Sequence, residues 1–150
     1  MFKYLVVAAI IPVLALASPT PFRTCPNNAP VPETFTVGDC TSLPCPIVRG
    51  QPLEAKGGNI ISPVSTSTVE AYITVSLAGL DLDFPIPEEL VDACANGINS
   101  CPLVAGQPFD YVFYDDDMNL PLGGITVQIR VGLRDGATEI ACVEFDGALI

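Results

Sequence analysis

The chain has no histidine and no tryptophan, and its 17 acidic residues face only six lysines and arginines. Without imidazole, no Ser-His-Asp triad, Cys-His dyad or histidine-bound metal centre can be assembled. Without indole, a sugar-stacking cleft lacks its best platform. A formal charge of −11 repels phosphate backbones and excludes nucleic acid as a partner. Beyond the first 17 residues no stretch is both long and uncharged enough to span a bilayer, so no stable membrane insertion is expected. That same part of the chain has no Asn-x-Ser/Thr acceptor, because Asn99-Ser100 is followed by Cys101.

What is present begins with a leader. Lys3, an apolar run from Leu5 to Leu16, and Ala15-Leu16-Ala17 before Ser18 read as a secretory signal peptide over residues 1–17. The run falls short of the roughly 20 residues of a membrane anchor. Cleavage leaves residues 18–150, which is 150 − 17 = 133 residues, and takes the charge from −11 to −12 by removing Lys3. That length is one domain with one sizeable core. The protein is therefore expected outside the cell.

The remaining candidate for catalysis is an acidic triplet, Asp115-Asp116-Asp117. Neighbouring residues on a strand face opposite ways, so the triplet does not form a facing acid–base pair. As a calcium loop it lacks the alternating spacing and distal glutamate. It reads as a solvated acidic loop, and no catalytic residue, enzyme activity, metal or cofactor is expected.

Six cysteines in an exported chain favour disulfides over a zinc site. Six allow fifteen pairings. Cys40 and Cys45 are close in sequence, as are Cys94 and Cys101; if both pairs are local, Cys25 is left for Cys142.

Periodicity is that of strands. Ile125, Val127, Ile129, Val131 and Leu133 share one face, and Val69, Ala71, Ile73, Val75 and Leu77 share another. Shorter runs lie at 33–37, 46–50, 109–114 and 139–145. Gly57-Gly58-Asn59, Gly123-Gly124 and Arg134-Asp135-Gly136 read as turns between them. One helical turn is expected from Glu88 to Cys94. Short strands with one apolar face each predict an all-β, two-layer sandwich.

One segment is unusual. Phe84-Pro85-Ile86-Pro87 places two prolines around one isoleucine, shortly before Cys94 and Cys101. Proline fixes φ and removes amide donors, so this segment is stiff and unable to pair with another strand. Together with "GDCTSLPCPI", "DACANGINSCPL" and a final "ACVEF", in that order from Cys25 to Phe145, it resembles the ML lipid-recognition family. The likeness is to its Niemann–Pick type C two sterol-carrier branch.

The resemblance implies an immunoglobulin-like sandwich whose sheets part around an internal apolar cavity. It implies the bridges Cys25–Cys142, Cys40–Cys45 and Cys94–Cys101. It places Phe84 at the cavity mouth, with Leu120-Pro121 as the facing lip where relatives carry an aromatic–proline pair. Ile73, Val75, Leu77, Leu82, Ile129 and Val131 would then line the pocket instead of filling a closed core. The function implied is a monomeric secreted carrier of a hydrophobic small molecule, a sterol or fatty acid. The alternative is an immunoglobulin-like interaction module in innate immune lipid sensing.

Overall fold

A computed structural model of the chain describes Ile10 and residues 19–150; apart from Ile10, the expected leader lies outside the described residues. Nine strands form among the described residues: β1 (Arg23–Thr24), β2 (Thr34–Val37), β3 (Cys45–Ile47), β4 (Leu53–Ile61), β5 (Glu70–Leu77), β6 (Leu80–Phe84), β7 (Pro108–Asp115), β8 (Ile125–Asp135) and β9 (Thr138–Leu149). A single helical turn, α1 (Glu88–Val91), follows Pro87. None of its residues is fully buried, and only Leu90 packs against the core.

The strands make an immunoglobulin-like two-sheet β-sandwich. One sheet runs β1-β9-β8-β5-β6, with β3 added parallel to β9; the other runs β2-β4-β7. The large sheet is built from two hairpins. Gly136, at φ +56°, turns β8 into β9, and Ala78-Gly79, both at positive φ, turn β5 into β6. Between the sheets lie Phe35 and Phe145, with ring centroids 5.6 Å apart, and the fully buried Ile140.

Three expectations need correction. Gly57-Gly58-Asn59 is not a turn but lies inside β4, where the register with β7 shifts between Gly57 and Ile60. A Cβ on Gly58 would collide with the Thr34 hydroxyl of β2, and Asn59 has φ +52°. Glycine here serves close strand approach and a bulge. The second correction is β6, a strand that the sequence pattern does not predict because its acidic residues break the apolar run. Its alternation places Asp81 and Asp83 on the face opposite Leu82 and Phe84. The third is the helical turn, which ends at Val91 and stops short of Cys94.

The six cysteines form Cys25–Cys142, Cys40–Cys45 and Cys94–Cys101. The first spans 117 residues and ties the segment just after β1 to the first half of β9.

A candidate lipid seam between the sheets

Alternation along β5 sends Ile73 and Val75 inward, and pairing brings Ile129 beside Val75 and Val131 beside Ile73. Phe84 closes the edge strand β6 opposite Ile73. From the facing sheet come Val37, Leu53, Ala55 and Phe113, and from the loop after β7 come Met118 and Leu120. These side chains enclose a seam none of whose lining residues is polar. As a true cavity it amounts to only about 30 Å³, room for a water molecule or two. The sheets are closed on each other, and any larger guest must part them.

Six of the nine candidate pocket residues meet here: Ile73, Val75, Phe84, Leu120, Ile129 and Val131. Three do not. Leu77 and Leu82 carry the inward parity but stand 38% and 46% exposed on the β5–β6 hairpin. With Leu80, 62% exposed, they form an apolar apron there. Pro121 is exposed next to the buried Leu120.

Several lining residues went unread in the sequence. Phe113 could have been placed from its alternation with Phe109 and Tyr111, all three buried. Leu53 and Ala55 were hidden by the glycines that follow them. Gly147 left no signal at all, yet a Cβ there would strike Cδ1 of Ile129, so its absence sets where that wall side chain rests.

The outer face of the large sheet is of a different kind. Glu144, only 7% exposed, accepts from Arg130 Nε at 2.7 Å and from Arg23 Nη2 at 3.2 Å. Arg130 Nη1 also donates to Asp81 at 2.8 Å, reaching over β5 to the edge strand. The bond from Arg130 is the main reason that the Asp81 carboxyl titrates below its ordinary range. Among the described residues no cluster of acidic or cysteine side chains is placed to hold a metal. Asp115 is buried and accepts from the Asp117 amide at 3.0 Å, while Asp116 and Asp117 are exposed.

The comparisons with known proteins fit this geometry. The family model described as ML domain matches residues 19–149. The chain belongs to the ML domain family. A Niemann–Pick type C2 protein from the Japanese carpenter ant shares its fold, with TM-score 0.72, 18% identity, 85% of this chain and 98% of that one covered. Chicken MD-1 complexed with lipid IVa is more distant, at TM-score 0.52 and 13% identity over 83% of this chain and 85% of that one. No curated protein matches the chain.

Proposed function

We propose that this protein is a secreted carrier that binds one hydrophobic small molecule, a sterol or fatty acid, between its two sheets. Membership of a lipid-recognition family supports the coarse reading, and a relative in this fold is named as complexed with a lipid. The observation that carries it is the seam itself, whose lining residues are all apolar and which runs out at the apron of Leu77, Leu80 and Leu82. Nothing in such a lining performs proton transfer or nucleophilic attack, so the site binds without chemistry.

Burying on the order of 400 Å² of hydrocarbon contributes roughly 10 kcal/mol before association and ordering costs, which leaves affinity in the micromolar class. Such binding loads and releases. The acidic residues Asp116 and Asp117, next to the seam's loop wall, oppose docking on anionic membranes. Delivery then takes place in extracellular fluid, by a monomer, after removal of the leader at residues 1–17.

Native mass spectrometry of the secreted protein, with displacement of a fluorescent sterol and a fluorescent fatty acid, tests this. One lipid per chain and micromolar displacement are expected. A correctly disulfide-bonded protein that takes up neither class would overturn the carrier reading.

A further inference from the structure

Among the described residues, the edges of the two sheets are short or already covered, with one exception. On the β2-β4-β7 sheet the Thr20 amide donates to the Phe35 carbonyl at 2.9 Å, and the Thr20 hydroxyl accepts from the Val37 amide at 2.8 Å, closing the β2 edge. The loop of the Cys94–Cys101 bridge closes the β7 edge. There the Val112 amide donates to the Gly97 carbonyl at 3.0 Å and the Asn99 amide to the Asp110 carbonyl at 3.2 Å. One side of the large sheet ends in β1 and β3, of two and three residues. The other side ends in β6, of five residues, paired to β5 without a register shift and with no strand beyond it. In an antiparallel pair every second residue turns its amide and carbonyl away from the neighbour. On β6 none of those groups meets another backbone group among the described residues.

An open edge accepts an added strand unless a bulge, a proline or a charge blocks it. β6 has no bulge, and its prolines come after it, at Pro85 and Pro87. Its side chains divide by face: Leu80, Leu82 and Phe84 on the inner side, where Leu77 extends the row, and Asp81 and Asp83 on the outer. A second copy of the chain fits badly. A twofold centred on Asp81, Leu82 or Asp83 keeps apolar beside apolar but sets aspartate against aspartate, which is destabilising. Asp81 is already met by Arg130 at 2.8 Å, whereas Asp83 is exposed and has no ion-pair partner among the described residues. The complement of this edge carries apolar side chains opposite the leucines and cations opposite the aspartates. The formal charge of −11 steers such a basic segment toward the protein.

We propose that β6 is a docking edge for an extended segment of a partner protein in which apolar and basic residues alternate. The segment adds one strand to the β1-β9-β8-β5-β6 sheet through main-chain hydrogen bonds. Its apolar side covers the apron, and its basic side reaches Asp83 and the Asp81–Arg130 pair. This goes beyond the carrier reading and holds whatever lipid the seam takes.

The test titrates the full secreted protein with two fluorescein-labelled peptide amides, read by anisotropy: Val-Lys-Val-Lys-Val and the same composition reordered as Val-Val-Lys-Lys-Val. The alternating peptide is expected to bind about tenfold tighter or more. N-methylating its lysines removes amide donors from one edge of the peptide strand, and N-methylating its valines removes them from the other. One set should therefore abolish binding while the other spares it. Asp83→Lys should weaken the alternating peptide about tenfold, since an attraction becomes a repulsion. Hydrogen exchange in residues 78–86 should slow when that peptide is bound. Equal binding of the two peptides, equal loss from both N-methylated sets, unchanged affinity in Asp83→Lys, or protection confined to other segments overturns the proposal. The wild-type comparisons still decide should Asp83→Lys fail to fold. Self-association of the protein that the peptide disrupts would assign the edge to a second copy. Binding to phosphatidylcholine vesicles that is lost in Leu80→Ser would assign the apron to a membrane. Either result overturns the proposal. A protein that binds the peptide in this way but takes up no lipid supports the edge and defeats the carrier reading alone.

Discussion

The two faces of the β1-β9-β8-β5-β6 sheet are made from the same strands and are held by opposite physics. The inner face presents Ile73, Val75, Ile129, Val131 and Phe145 to the other sheet across a seam with no polar lining residue. The outer face carries Arg23, Glu144, Arg130 and Asp81 in a ladder from the first strand to the last, beside the Cys25–Cys142 bridge. Apolar contact is non-directional, and the inner face can slide or part without leaving a bond unmade. Ion pairs with short hydrogen bonds are directional, and they hold each strand at one register. A sheet built this way moves as a plate: it can lift away from its partner to admit a guest without coming apart itself. The Asp81–Arg130 pair matters most for that, because it reaches the edge strand β6, which has only β5 as a backbone neighbour.

Four perturbations test the division of labour, from the largest effect to the smallest. Replacing Cys25 and Cys142 by serine should lower stability by about 4–5 kcal/mol in the chain-entropy account. In a domain of this size that is a fall in Tm of about 15 °C by calorimetry. Lipid affinity of the folded fraction should stay within about twofold, since the bridge belongs to the outer face; a large loss of affinity would tie it to the seam. Next, Glu144→Gln leaves two guanidinium groups facing a neutral amide. About 2 kcal/mol of stability and about 6 °C of Tm should go, again with lipid binding unchanged in a displacement titration.

The inner face is expected to respond in reverse. Phe84→Ala removes a half-buried side chain at the sheet margin. Binding of sterol or fatty acid should weaken about tenfold or more while Tm moves by about 3 °C or less. Equal binding with a large stability loss would make Phe84 plain core and break the comparison.

The smallest effect is a pH limit. Burial raises the pKa of Tyr111, and burial together with the hydrogen bond to Glu139 raises that of Tyr72, the one on the inner face and the other on the outer. A raised folded pKa gives stability that is complete below the unfolded value, about 10 for tyrosine, and lost as pH rises past it. Urea midpoints should hold up to about pH 9 and then decline. Tyr72→Phe and Tyr111→Phe together should flatten that decline, and a decline that persists in the double variant would assign it to other groups.

Much of this was legible in the residues. Period-two alternation marks β5 and β8 with their inward faces, and the Phe-Pro-Ile-Pro block with its following cysteines points to the family. The leader is likewise a matter of sequence, since residues 1–9 and 11–17 lie outside the described structure. Other features could not be read. β4 was hidden because two glycines and an asparagine mean a turn by local rules, and only the approach of Thr34 from another strand explains them. Leu77 and Leu82 share the parity of Val75, but whether parity means core, wall or apron depends on what covers each residue in the fold.

The sequence by itself determined which residues prefer strands, which face of each is apolar, and that no histidine chemistry is possible, because those follow from local sterics and side-chain type. Tertiary structure alone decided which apolar residues border a gap, and that Gly147 makes room for Ile129. A gap is a distance between two sheets, set by contacts among strands far apart in the chain, and no local pattern encodes it.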